Sequence, residues 1–315
     1  MVQDGSKVGT GPLATPAAGP QASESLTTLG SAAPQRRRTS VWQRFRRHRL
    51  ALIGLTILVL LAIVSIGAPL FTQHGPYSVD LRSARMGPTS SHILGSDPAG
   101  RDVFSRLLYA GRVSLSVGIV AVAIYTVIGV VLGAVAGFYG GWVDSTIMRL
   151  ADIVLAFPSL LIIITVVSVL GPSLFNIMLV IGLLGWPPIT RLLRGEFLSL
   201  REREFIVAAR ATGARNNRLM FRHLLPNAIA PIIVAATFGV ANAILLEAGL
   251  SFLGLGVQPP TPSWGSMLTG AQSLTVLESM PWLWVPPGVM IAVAVLSINF
   301  IGDGLRDALD PYLSR

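Results

Sequence analysis

Between Ile93 and Arg106 the chain reads Ile93-Leu-Gly-Ser-Asp-Pro-Ala-Gly-Arg-Asp102-Val-Phe-Ser-Arg106, which sets Ser96 beside Asp97 and places Asp102 five positions further on. Carboxylates with a neighbouring hydroxyl could hold a metal or activate a nucleophile. The stronger reading is structural. Asp97-Pro98 starts a turn, and Asp102 caps a helix running toward Gly111. A second serine, Ser251, follows Gly249-Leu250, but Phe252 stands where an intramembrane serine protease motif wants glycine, and Leu253 where a nucleophile turn wants it. The histidines His48, His74, His92 and His223 are scattered with no His-x3-His pair, so no metal site is expected. The chain has no cysteine, which removes thiol nucleophiles, thiolate metal sites and disulfides. A phosphate-cradling loop needs a lysine, and the only one is Lys7. No catalytic residue is assigned, the chain is not read as an enzyme, and no cofactor is expected on it.

What stands out instead is a charged frame around a short apolar block. From Arg191 to Arg222 there are eight arginines against three glutamates. Inside lies Glu204-Phe205-Ile206-Val207-Ala208-Ala209-Arg210-Ala211-Thr212-Gly213-Ala214, and the charged stretch closes on Leu225-Pro226. Good helix formers stopped by Gly213 predict a short helix with a glycine C-terminus. Long uncharged segments flank the stretch on both sides, so it is expected to face water between two membrane spans. Such a helix needs a partner for its apolar face, either the lipid surface or another protein.

The elements that must position this helix are membrane spans. Apolar residues make up 52% of the chain and charged residues 12%, about half the charged share of a soluble domain, and mean hydropathy is +0.65. Residues 1–35 are rich in Gly, Pro, Ala, Ser and Thr without hydrophobic periodicity and are expected to be a disordered tail. Seven arginines, from Arg36 to Arg49, precede the first apolar run, Leu50 to Phe71. That run is too long for an export signal's apolar core, so residues 36–71 make a basic interfacial segment and an uncleaved first span. Residues 72–111 form an extracytoplasmic connection. The second span, Val113 to about Tyr139, carries Gly129, Gly133 and Gly137 on one face, a pattern for close helix approach within the chain or against a second subunit. Asp144, Arg149 and Asp152 then mark a short aqueous turn.

Ile153 to Thr190 is 38 residues without a charge. One helix of that length would run about 57 Å, nearly twice the ~30 Å hydrocarbon thickness. It must therefore be two spans, turning at Gly171-Pro172-Ser173. A fifth span runs from Leu224 to Leu246 and ends at Glu247. The Gly- and Pro-rich segment 249–265 is expected at the outer surface or partly re-entrant, with its backbone groups covered by protein or water. Pro281 to Gly302 is the last span, anchored by Trp282 and Trp284, and residues 306–315 form a tail. Residues 112–305 thus make a five-helix core with a loop at 191–226. Six spans put both termini on one side with the two arginine blocks, which places them in the cytoplasm. The net charge of +9 follows from these blocks beside spans, and nucleic acid is not expected as a partner.

The spacing of Ala208-Ala209, Gly213 and Leu225-Pro226 resembles the cytoplasmic "EAA" loop of ABC-importer membrane subunits. Val207 stands where that pattern has its glutamate, and His223 where it has an aliphatic residue. Leu250-Ser-Phe-Leu-Gly-Leu-Gly-Val-Gln-Pro-Pro-Thr-Pro-Ser-Trp-Gly265 resembles the signature of peptide- and nickel-type permeases, and 93–106 resembles the block preceding their conducting core. The resemblance implies an all-α type I permease subunit in a bacterial plasma or inner membrane. It also implies a coupling helix at Glu204–Ala214, a homologous permease as heterodimer partner, two ATPases carrying ATP and Mg, and an extracytoplasmic solute-binding protein. Dipeptides or oligopeptides are the implied cargo. Nickel, glutathione or another small solute stays open. An ion-coupled secondary transporter is the reading of a different class, and Asp152, Glu247 and Asp303, all at expected span ends, are its only candidate residues.

Overall fold

The structure is a computed structural model describing residues 41–309. The predicted disordered tail, the Arg36–Arg38 cluster and the chain end after Leu309 lie outside the described residues. Among the described residues every regular element is a helix, and the single isolated bridge joins Ser96 and Asp102.

Helix α1 (Val41–Phe45) precedes α2 (Arg49–Ile66), which is capped by His48 Nδ1 accepting the Ala51 N–H at 3.1 Å. Phe45 is buried with Ala51 and Ala308, while Trp42 is exposed. The predicted interfacial segment therefore turns one ring into the protein and one outward. A single turn, α3 (Ala68–Phe71), ends the first crossing.

Helix α4 (Val103–Tyr139) is 37 residues long and is capped by Asp102, whose Oδ2 accepts the Ser105 N–H at 2.7 Å. The predicted cap is present. The helix does not stop at Gly111, however, and the predicted boundary near residue 112 falls inside it. Gly111 is a packing residue, since a Cβ there would lie 2.1 Å from Ser65 Oγ. Gly140, at φ +67°, ends α4 in a conformation that suits glycine.

The stretch predicted as a short aqueous turn is helix α5 (Gly141–Ala156), and α6 (Ser159–Leu170) follows after an 82° bend at Phe157-Pro158. The turn at Gly171 is where it was expected. Gly171 has φ +85°, and Ser173 Oγ accepts the Asn176 N–H at 3.1 Å to open α7 (Leu174–Leu184). Helix α8 (Trp186–Leu200) continues from α7 beyond Gly185, with Pro187 in its first turn, where a missing N–H costs nothing.

Helices α9 (Glu204–Ala211) and α10 (Asn216–Arg218) lead through a π-helical turn, Leu219–Leu224, into α11 (Leu225–Phe252). Helix α11 passes through Glu247 rather than ending there. Helices α12 (Trp264–Leu268) and α13 (Leu274–Ser279) precede α14 (Pro281–Leu309), which likewise continues past Gly302 and Asp303. Five helical stretches are long and apolar enough to cross a membrane, and the bent α5–α6 pair makes a sixth when counted as one broken span.

Helix α4 is central, packed by α8, α11, α7 and α2. The glycine stripe faces α8: Cβ atoms at Gly129, Gly133 and Gly137 would lie 2.6–2.7 Å from Ile189, Thr190 and Phe197. The stripe thus serves packing within the chain. Lipid gives apolar side chains little reason to leave it, so association of spans rests on such close approach.

Candidate coupling surface

The charged stretch 191–226 is mostly helix. Its first ten residues complete α8, and the non-helical links are Arg201–Arg203 and Thr212–Arg215. Between them α9 stands on one side chain. Ile206 is fully buried in the core cluster that includes Met220 and Leu224. Its neighbours Phe205 and Val207 are 43% and 56% exposed, with Glu204, Ala208 and Arg210 also exposed and Ala209 half-buried. The amphipathic pattern is therefore inverted around a single anchor.

Gly213 closes α9 as predicted. It adopts φ +83°, its N–H donates to Arg210 O at 3.0 Å, and Ala214 N–H donates to Ala209 O at 3.1 Å. These two bonds form a Schellman motif, which satisfies carbonyls the helix end would leave unpaired. Thr212 adds a bond from its hydroxyl to Ala209 O at 3.0 Å. Leu225 and Pro226 open α11, where proline fits the first turn.

Six of the eight arginines in this stretch fall into two sets. Arg194 grips Asp144 with Nε and Nη2 at 2.5 and 2.6 Å, and Arg191 pairs with Asp152, so two ion pairs tie α8 to α5. Arg203, Arg210, Arg215 and Arg218 are exposed around α9. The result is a small apolar knob rimmed by positive charge.

Three further features escaped sequence reasoning. The first is a buried relay. Glu247, fully buried within α11, accepts Ser114 Oγ–H of α4 at 3.1 Å and Ser251 Oγ–H at 2.7 Å. Ser114 Oγ in turn accepts the Trp264 N–H, and Ser251 Oγ the Val257 N–H, each at 3.1 Å. Two backbone N–H groups of the 249–265 segment are thus covered by protein, one of the two covers the sequence allows. A glutamate in a run otherwise free of charge is the available signal, although by position alone it reads as a span end.

The second is a cleft of about 380 Å³ where the α5–α6 bend, the α7–α8 junction and α11 meet, lined by Tyr125, Ser159, Gly185, Pro188, Phe238 and Asn242 among others. Tyr125 is wedged there: a Cβ on Gly239 would lie 1.6 Å from its hydroxyl, and one on Gly185 2.6 Å from its ring. The third is a grouping of His74 and His92 with Asp102, residues the sequence reading left scattered because they meet only through the fold. Trp282, read as an interfacial anchor, also turns toward this segment, with Nε1 donating to Ser96 O at 3.4 Å.

Comparison with known proteins places these features in context. Residues 129–315 match the family described as "binding-protein-dependent transport system inner membrane component", and residues 38–88 match the N-terminal TM domain of oligopeptide transport permease C. The chain is 46% identical over 268 residues to a putative peptide permease protein of Brucella ovis, covering 85% of this chain and 89% of that one. It is 45% identical over 272 residues to the dipeptide transport system permease protein DppC of Alkalihalophilus pseudofirmus, covering 86% and 89%. Its fold is similar to that of the MetNI methionine ABC transporter in inward-facing conformations, with TM-score 0.52 and 20% identity, over 65% of this chain and 96% of that chain.

Proposed function

Because the chain belongs to the binding-protein-dependent transport system inner membrane component family, and so is a multi-pass membrane subunit of an ABC importer, we propose that it carries dipeptides or oligopeptides and that α9 is its handle for an ATPase. The peptide cargo rests on what its relatives are named for transporting. The handle rests on one observation: Ile206 is the one fully buried residue of α9, while Phe205 and Val207 project between exposed arginines. Exposed apolar area with a charged rim is the anatomy of a protein-docking patch.

In this reading Glu204, Phe205, Val207, Ala208, Ala209, Arg210, Thr212, Gly213 and Ala214 form the docking element, Ile206 roots it, and Leu225-Pro226 joins it to α11. Two cytoplasmic ATPases hold ATP and Mg, a homologous permease completes the pathway, and a solute-binding protein delivers cargo from outside. Both termini lie in the cytoplasm with α9. The cleft beside Tyr125 and Asn242 is this chain's share of the pathway. Closure of the ATPases moves α9, and the ion pairs from α8 to α5 carry the motion to the bent span beside that cleft. Transport is then a shift between two packings, set by how differently the ATPases bind each.

Ion-coupled transport gains nothing from Glu247. Both its oxygens are taken by serine hydroxyls, and it does not line the cleft.

The chain has no cysteine, so single-cysteine cross-linking reports one position cleanly. Val207→Cys should cross-link to an ATPase subunit of the assembled transporter. Leu70→Cys, exposed after the first span, should not. Absence of any ATPase adduct at position 207 with transport intact overturns the assignment of α9.

A further inference from the structure

We propose that His74, His92 and Asp102 form a binding site for one divalent transition-metal cation of the Zn²⁺ type, on the segment linking α3 to α4. One ring nitrogen from each histidine and one carboxylate oxygen lie within 4.8 Å of one another. The two imidazoles stack with centroids 4.8 Å apart and planes 29° from parallel. His92 Nδ1 and Asp102 Oδ1 are 2.9 Å apart. Around a tetrahedral ion with ligands about 2.0–2.1 Å away that edge would be about 3.3 Å, so the pair needs to part by only about 0.4 Å to take the ion. The proton now shared along this edge would give way to the cation, as metal binding at histidine requires.

Two of the three ligands are fixed beforehand. Asp102 is buried and held by its second oxygen, which caps α4 through the Ser105 N–H at 2.7 Å. His92 is buried, its backbone N–H donating to Thr89 Oγ1 at 3.0 Å and its ring set by the Nδ1 contact with Asp102. His74 is half-buried and is the ligand that adjusts, its ring having only to slide along the face of His92. A cavity of about 60 Å³ opens against His74 and Asp102, bordered by Gln73, Ser90 and Ser91. It has room for an ion and a water on the remaining coordination position.

The donor set selects the class of ion. Two imidazoles and one carboxylate suit Zn²⁺ and its transition-metal neighbours, whereas Mg²⁺ and Ca²⁺ favour all-oxygen cages. A bound ion would clip the chain just after the first span to the cap residue of α4, on the side of the molecule opposite α9 in the proposed orientation. The site itself depends on neither that orientation nor the coupling assignment.

The test uses the full chain in lipid nanodiscs, purified without a histidine tag and stripped with a chelator. Zn²⁺ is titrated calorimetrically, and Co²⁺ is added separately to read imidazole coordination in the visible spectrum. The expected result is one Zn²⁺ per chain, with affinity reduced about tenfold or more by His74→Ala or His92→Ala and unchanged by His48→Ala or His223→Ala. His74 makes no hydrogen bond that the fold relies on, so His74→Ala should unfold at the wild-type temperature. Its loss of binding is then a loss of a ligand. Wild-type protein that binds no Zn²⁺, or binds it no more tightly than the His74→Ala/His92→Ala double variant, overturns the site.

Discussion

The Ser114 hydroxyl of α4 stands between a backbone donor and a carboxylate, accepting the Trp264 N–H and donating to Glu247 Oε2, each at 3.1 Å. Ser251 repeats the arrangement on the other oxygen. Glu247→Leu removes both acceptors at once and leaves the protons of two buried hydroxyls without an acceptor. The expected loss is about 2–5 kcal/mol, read as a lower unfolding temperature of the purified chain in detergent. Glu247→Gln keeps one acceptor and should fall between. A leucine variant as stable as wild type would show that the relay does not hold the 249–265 segment.

Helices α4 and α8 approach so closely that one methyl group should part them. A Cβ at Gly137 would lie 2.6 Å from Phe197 Cβ, an atom that no rotamer change can move. Gly137→Ala should destabilise the chain by about 1–3 kcal/mol. Gly195→Ala, on the exposed side of α8 with nothing within 4 Å, should be neutral or gain up to about 1 kcal/mol from helix propensity. Comparing the two unfolding temperatures checks whether the stripe packs within this chain.

Local signals in the sequence are the ones the structure repeats. The Asp102 cap, the Gly171 break and the Gly213 stop depend on a few neighbouring residues, so they are legible without the fold. Helix α5 was missed because Asp144 and Asp152 look like a water-facing turn until Arg194 and Arg191 of α8 are seen to neutralise them. Glu247 was placed at a span end for the same reason, its serine partners lying partly on another helix. The exposure of Phe205 and Val207 on either side of buried Ile206 could not be read from composition, because all three are apolar and only packing decides which one turns inward.

Arg194 and Asp144 should behave as a unit. Arg194→Ala and Asp144→Ala are each expected to lower the unfolding temperature. The double variant should lose about 1 kcal/mol less than their sum, the coupling expected of a partly exposed bidentate pair. Arg194→Lys should recover only part of it, since an ammonium cannot fork across both oxygens. Strict additivity in the double-mutant cycle would mean that the contact contributes nothing to joining α5 and α8.

Asn242 is exposed on α11 at the cleft beside Tyr125, and its side-chain amide both donates and accepts, as a peptide bond does. Asn242→Leu should slow dipeptide uptake by the assembled transporter by up to about tenfold, the worth of one net hydrogen bond. Assembly with the ATPases should be unaffected, and Asn242→Gln should restore part of the rate. Uptake at the wild-type rate in the leucine variant would move the pathway elsewhere.

The last prediction separates the two faces of α9. Ile206 is rooted in this chain's own core, so Ile206→Ala should cost the isolated subunit about 2–4 kcal/mol. Val207, one residue on, touches water in the isolated subunit, so Val207→Asp should leave its unfolding temperature unchanged. Gly213→Val lies between these cases. No side chain crowds the position, yet φ +83° strains a β-branched residue by about 1–2 kcal/mol, enough to fray the C-terminal turn of α9. In the assembled transporter the order should invert: Val207→Asp should abolish co-purification of the ATPases and uptake, because an apolar contact that excludes water cannot take in an unpaired carboxylate. Unfolding of the subunit alone, pull-down of the ATPases and uptake in proteoliposomes together decide it. If Val207→Asp leaves all three at wild-type values, this exposed face of α9 is not where the ATPase binds.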